Sequence, residues 1–205
     1  MAMREKQPQW VVFDLGGVLV EIGGVVDTIR AARPESNEDP WEAWLRSPAV
    51  EAWETGRTSN EEFADDLIKE LGLLRSREEF LADCSTWVVG TFPETLPMLA
   101  ALRGQVKLAC LSNTNGLHWP IIQRDLRIHE QLDRSFLSYQ MGLAKPDLAI
   151  FKEVAERLDS PPEALLFIDD NRLNVAAARD AGLQAEQAFG GAAVRDILRA
   201  RGFSV

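Results

Sequence analysis

Apolar positions along this chain group into short unbroken runs that alternate with segments of helical spacing. Trp10-Val11-Val12-Phe13 is an apolar run with β-branched and aromatic members, closed by Asp14 and then Gly16-Gly17. A run of this kind predicts a strand buried on both faces, as at the centre of a parallel sheet. Val106 to Leu111 predicts a second strand, ending at Ser112-Asn113. Leu165 to Ile168 predicts a third, ending at Asp169-Asp170, and Phe136 to Tyr139 a weaker fourth ahead of Lys145.

Helical patterns fill the intervals. Thr91-x-x-Glu94 reads as a capping box for a helix from Pro93 to Leu102 that stops at Gly104. Pro146 predicts the start of another, where its missing N–H costs nothing, with Phe151, Val154, Ala155 and Leu158 on one face. Asn171 to Ala181, closed by Gly182, is a third. Strands alternating with helices predict an α/β, doubly wound parallel sheet.

One interval is too long for that scheme. Asp14 and Ser112 are 98 positions apart, whereas a βαβ unit needs roughly 30 residues or more. Within the surplus, Ser59-x-x-Glu62 caps a helix carrying Phe63, Ala64, Leu67, Ile68 and Leu71 on one stripe. Ser76-x-x-Glu79 caps another, expected to carry Phe80, Leu81, Cys84, Trp87 and Val88. Trp41, Trp44 and Leu45 suggest a third helix, Val50 and Trp53 a fourth. The expected organisation is a Rossmann-like core over 8–24 and 90–205, with an all-helical module inserted over 25–89.

Composition narrows the function classes. The chain has 205 residues, 46% hydrophobic and 26% charged, in keeping with one globular domain and a modest insertion. A net charge of −10 without a basic patch argues against a nucleic-acid partner. Asp14 and Glu21 interrupt the richest apolar stretch, so no membrane span is expected. The opening Met1-Ala2-Met3-Arg4-Glu5-Lys6 lacks the apolar core of a secretory leader. Cys84 and Cys110 have no paired or zinc-like spacing and are expected to be reduced and interior. Together these point to a cytoplasmic protein.

Ligands of doubly wound sheets bind beyond the carboxyl ends of the strands. That rule gathers Asp14, Ser112, Asn113, Lys145, Asp169 and Asp170 at one edge. Three carboxylates with one lysine suit a hard divalent cation such as Mg²⁺ together with a phosphate. A hydroxyl, an amide, backbone N–H groups and an ammonium can hold phosphate oxygens. A carboxylate whose charge is offset in this way can attack phosphorus. Each feature alone is commonplace; their order and placement at successive strand ends carry the signal.

With these residues in view, the chain resembles the haloacid dehalogenase-like superfamily over nearly its whole length. Phe13-Asp14-Leu15-Gly16-Gly17-Val18-Leu19 is similar to the first family motif, and Leu111-Ser112-Asn113 to the second. Ala144-Lys145-Pro146 is similar to the third, and Ile168-Asp169-Asp170-Asn171 to the fourth. The resemblance implies a Rossmann-like core with a small helical cap between the first two motifs. It implies Asp14 as nucleophile, Ser112 with Asn113 and Gly17 around the phosphate, and Lys145 bridging phosphate and nucleophile. Asp170 is implied as a Mg²⁺ ligand with Asp14 and the Gly16 carbonyl, and Asp169 beside it in the metal set.

One position departs from the family pattern. Most of its phosphatases carry a second aspartate two residues after the nucleophile as general acid and base; here that residue is Gly16. Another residue supplying the proton, a substrate with a good leaving group, and vestigial turnover all remain open. The expected activity is a magnesium-dependent phosphatase acting on a small phosphorylated metabolite, such as a sugar phosphate, through an aspartyl-phosphate. The alternatives are a 2-haloacid dehalogenase-type hydrolase, against which the Asp169-Asp170 pair argues, and a non-catalytic metabolite-binding protein. His118 and His129 are expected at the surface, Arg30 and Arg33 in solvent. Trp41, Trp44, Trp53 and Trp87 are expected mainly as packing residues within the insertion.

Overall fold

The computed structural model describes residues 7–205; the opening Met1 to Lys6, expected to lack a secretory leader, lies outside them. In chain order its elements are β1 (Trp10–Phe13), β2 (Val20–Ile22), α1 (Val25–Ala32), α2 (Pro40–Arg46), α3 (Pro48–Glu54), α4 (Asn60–Leu71) and α5 (Arg77–Ser85). There follow β3 (Val88–Thr91), α6 (Thr95–Leu102), β4 (Lys107–Ser112), α7 (His118–Ile121), β5 (Arg134–Leu137) and α8 (Ser138–Met141). The chain closes with α9 (Leu148–Arg157), β6 (Leu165–Asp169), α10 (Arg172–Asp180), β7 (Gln184–Gln187) and α11 (Gly190–Ala200).

The sheet has the order β5-β4-β1-β6-β7, and every neighbouring pair in it is parallel. Parallel strands take their connections across the faces, so both faces of β1 are covered. Successive side chains alternate between them. Val11 and Phe13 pack with Met98, Leu99, Val194 and Leu198 on one side. Trp10 and Val12 pack with Ile150, Phe151, Val175 and Ala178 on the other. Because β4, β1 and β6 are adjacent and parallel, their carboxyl ends deliver Ser112, Asp14 and Asp169 to one edge.

Helices α1–α5 have an apolar core of their own. Trp53 stacks on Phe63 at 3.8 Å between ring centroids, and Trp44 meets Trp53, Phe63 and Trp87 edge-on. Both capping boxes form: Ser59 and Glu62 exchange backbone and side-chain bonds at α4, as do Ser76 and Glu79 at α5. Trp41 differs from the packing expectation, being 46% exposed.

Several local expectations are corrected. Thr91 caps no helix, because it pairs with Val20 as the last residue of β3; α6 starts at Thr95 behind Glu94, whose side chain makes no cap bond. The β2–β3 pairing likewise takes Val88 out of α5, which stops at Ser85 ahead of Trp87. The Lys145–Pro146 peptide is cis, and α9 begins at Leu148 with the Asp147 carboxylate as its cap. The strand expected through Tyr139 ends at Leu137, where Ser138 opens α8 and bonds through its hydroxyl to Thr114.

Candidate active site

Each polar residue of the site is placed by an apolar strand that stops. β1 ends at Phe13, fully buried, and the next residue, Asp14, emerges at the sheet edge with its N–H donating to the Ile168 carbonyl at 2.8 Å. Asp14 Oδ1 accepts from the Leu15 N–H at 2.7 Å and from the Lys145 ammonium at 2.9 Å. Among the described residues no bond falls on Oδ2. Burial, with Asp169 and Asp170 nearby, raises the Asp14 carboxyl well above the usual range, and Lys145 opposes that rise.

Lys145 is buried, and its ammonium also lies 2.6 Å from Asp169 Oδ2. Burial works against its charge, but Asp14 and Asp169 outweigh it and push the amine up to about 12. Asp169 is saturated by protein donors. Oδ1 accepts from the Asn171 N–H at 2.7 Å and the Asn174 amide at 3.1 Å; Oδ2 accepts from Asn174 at 3.0 Å as well as from Lys145. Asp170 is half-buried at the cavity wall, and burial beside Asp169 raises its carboxyl. Oxygens of Asp14, Asp169 and Asp170 lie within 4.8 Å of one another. Three clustered carboxylates against one ammonium leave an excess of negative charge that a hard cation offsets.

The loop after β4 is held from two sides. The Asn113 side chain accepts from the Lys145 N–H at 2.9 Å and donates to the Lys145 carbonyl at 3.0 Å. Its amide therefore fixes the lysine backbone, a role the motif alone did not disclose. Ser112 is buried at the strand end, its hydroxyl making only a 3.3 Å contact to the Asn113 carbonyl. Gly17 takes a positive φ of 73°, and its N–H is spent on the Val20 carbonyl at 2.9 Å. A Cβ there would stand 2.5 Å from Asp170 Oδ2, so glycine makes room for that carboxylate. The Gly16–Val20 bridge uses the Leu15 carbonyl and the Gly17 N–H and leaves the Gly16 carbonyl out of it.

These residues open into a cavity of about 920 Å³ shared by the sheet edge and the helices above it. Two of its walls were missed from sequence. Glu54, the last residue of α3, lines the cavity from the helical side, where Lys145 and Asn113 also line it. His118, expected at the surface, is buried: its Nδ1 meets the Asn115 amide at 3.1 Å and its Nε2 the Cys84 carbonyl at 3.0 Å. Burial lowers its pKa, so the ring is neutral at pH 7, donating to Cys84 and accepting from Asn115. His129 is half-buried against Trp119. Arg30 and Arg33 lie outside the cavity and pair with Asp27 and Glu38.

Known proteins resemble this chain in sequence and fold. The chain is 28% identical over 201 residues to a D-ribitol-5-phosphate phosphatase of Bacteroides thetaiotaomicron, covering 92% of this chain and 95% of that one. It is 30% identical over 187 residues to a phosphatase of Mycobacterium tuberculosis, covering 85% and 84%. A haloacid dehalogenase family enzyme of Bacteroides thetaiotaomicron, solved in complex with magnesium and inorganic phosphate, superposes with a TM-score of 0.75 at 25% identity, over 90% of this chain and 96% of that one. The haloacid dehalogenase-like hydrolase family matches residues 8–182. With that match spanning four of the five strands of the sheet and the residues at their carboxyl ends, the chain belongs to the haloacid dehalogenase-like hydrolases.

Proposed function

We propose that the protein is a magnesium-dependent phosphatase of small phosphorylated metabolites that works through an aspartyl-phosphate on Asp14. The observation that carries this reading is the Lys145 ammonium set between Asp14 and Asp169, with Asp170 beside them on the cavity. The phosphatase names of two relatives and the magnesium and phosphate bound by a third support it.

The donor set fits the metal. Among the described residues Asp14 Oδ2 and the Gly16 carbonyl accept no hydrogen bond, and Asp170 stands beside Asp14 on the cavity, whereas both Asp169 oxygens are engaged. Asp14, Gly16 and Asp170 would therefore hold Mg²⁺, with Asp169 acting through Lys145. The ion supplies charge neutralisation for the phosphoryl group and keeps Asp14 ionised.

The chain's own groups perform the rest. Lys145 holds Asp14 by one oxygen, which orients the other as a nucleophile and places an ammonium next to the phosphoryl oxygens. Ser112, with backbone N–H groups of the following loop, binds the phosphate. Helices α1–α5, taken over 25–89 as a cap on a core of 8–24 and 90–205, limit substrate size and solvent entry. A sugar or polyol phosphate fits the polar floor of the cavity, a choice supported by the ribitol-phosphate relative. The reading includes a cytoplasmic setting, supported by Cys84 and Cys110, both buried and unpaired; among the described residues no helix is long and apolar enough to cross a membrane.

Hydrolysis of p-nitrophenyl phosphate tests the reading. Release that needs Mg²⁺, stops with EDTA and is lost in Asp14→Asn is the expected result; release indifferent to both overturns it. A haloacid dehalogenase reading predicts metal-free turnover instead, and a site with surplus carboxylates gains nothing for an anionic acid.

A further inference from the structure

Phosphatase chemistry at Asp14 leaves one task without an agent. An alkoxide leaving group needs a proton and the attacking water must lose one, yet Gly16 has no side chain to serve either step. In-line attack by Asp14 puts the leaving oxygen on the far face of phosphorus. Water that later cleaves the aspartyl-phosphate in line attacks that same face. One acid–base group can serve both steps if it stands across the cavity from Asp14, on the helical side.

Few titratable groups line that side. Glu51 is tied to Arg57 at 2.6 Å. Asp147 accepts from the Ala149 N–H at 2.8 Å as the cap of α9. Both ring nitrogens of His118 are engaged. Glu54 remains. It sits at the carboxyl end of α3, where the helix dipole opposes an anion and no basic residue occupies the last turn. Local structure therefore gives no reason for a carboxylate there.

Its position is nonetheless held. The preceding Trp53 is fully buried and donates through Nε1 to the Asn60 side chain at 2.9 Å. Gly56, two residues on, has φ 69°, and a Cβ there would stand 2.1 Å from the Tyr139 carbonyl of α8. That backbone approach fixes the end of α3 against the sheet domain. Glu54 thus lines the same cavity as Asn113, Lys145 and the nucleophile.

We propose that Glu54 is the general acid–base residue of this enzyme, doing from the cap what a side chain at position 16 cannot. The assignment rests on the phosphatase reading of Asp14. In the first step an Asp14 oxygen bonds to phosphorus, the P–O bond to the substrate breaks, and the Glu54 proton goes to the departing oxygen, giving the alcohol. In the second, Glu54 carboxylate takes a proton from water as its oxygen bonds to phosphorus. The P–O bond to Asp14 breaks, inorganic phosphate leaves, and Glu54 is protonated again. Burial pushes the Glu54 carboxyl up to about 7, opposed by Lys145 and the Asn113 amide, which leaves both forms populated near neutrality.

Rapid-mix kinetics with p-nitrophenyl phosphate and Mg²⁺ separate the two steps, because p-nitrophenolate leaves without a proton. Glu54→Gln is expected to release about one p-nitrophenolate per enzyme in a burst. Steady turnover then falls about 100-fold or more for want of the base. Adding Gly16→Asp to that variant is expected to restore turnover, since a Cβ at position 16 meets only Ile22 Cγ1, at 3.3 Å. Unchanged turnover in Glu54→Gln overturns the proposal, as does loss of burst and turnover together, which marks a structural role. Those outcomes leave the Asp14 chemistry standing. Release by the wild type that survives Asp14→Asn overturns the phosphatase reading, and the role of Glu54 falls with it.

Discussion

Gly17 and Asp170 are matched by shape: a single carbon added to Gly17 would stand 2.5 Å from Asp170 Oδ2. Gly17→Ala must displace that carboxylate and also adopt a φ of 73° that disfavours a side chain. The expected result is a weakening of Mg²⁺ affinity by about tenfold or more, with a stability loss of about 1–2 kcal/mol. Metal titration of activity beside a thermal melt checks both. A variant with unaltered metal affinity would show that Asp170 does not bind the ion.

Lys145 balances two carboxylates that are otherwise stranded indoors. Removing one partner of a buried ion pair typically costs about 3–5 kcal/mol, because the remaining charge is uncompensated. Lys145→Met is therefore expected to lose turnover and to melt well below the wild type. Mg²⁺ is expected to recover part of the lost melting temperature, since it offsets the same charge. Equal melts with and without the lysine would remove it from the electrostatic account.

Glu54 also gives stability a pH dependence of known sign. Its folded-state pKa, raised from 4.5 to about 7, means that the native chain holds a proton which the unfolded chain has already released. Its contribution therefore falls as pH rises between about 4.5 and 7. Relative to wild type, Glu54→Gln is expected to gain stability from pH 5 to pH 8, by about 1–3 kcal/mol. A difference that does not vary with pH would show that the carboxyl titrates normally.

His118 acts in the opposite direction. Its pKa is lowered, so the unfolded chain takes up a proton first and stability drops as pH falls below about 6.5. The ring joins Asn115, beyond β4, to the Cys84 carbonyl at the end of α5. His118→Phe leaves both partners unsatisfied at a cost of about 1–3 kcal/mol and abolishes that acid sensitivity. Melts at pH 5.5 and pH 7.5 measure it; an acid loss that persists in the variant assigns it elsewhere.

How much of the fold and site was legible in the sequence depends on whether a residue's role is local. The strands of the central sheet were readable because burial on both faces forces continuous apolar runs, as in Trp10–Phe13 and Leu165–Ile168. β7 was not readable, since Gln184-Ala-Glu-Gln187 lies at the sheet edge, where its polar side chains bond to Arg201 and to the Glu163 and Asp170 carbonyls. β2 and β3 are too short to show a period, and they changed the reading of Thr91 and Val88 by pairing at long range. Asp14, Asp169 and Asp170 are legible from their places at strand ends, and Lys145 from its place ahead of Pro146 in the loop that follows α8. What Asn113 and Glu54 do was not, because each acts on a residue far away in the chain. The one available signal for Glu54 was an acidic residue at the carboxyl end of a short helix, ahead of Gly56.

In the proposed reaction Asp14 carries the phosphoryl group between the two steps. Mass spectrometry of protein mixed with p-nitrophenyl phosphate and Mg²⁺, acid-quenched early and digested, tests it most directly. The expected result is one added phosphoryl group on the peptide containing Asp14, lost on hydroxylamine treatment and absent in Asp14→Asn. Turnover with no modified peptide at any quench time, or with the group on another residue, would contradict the account.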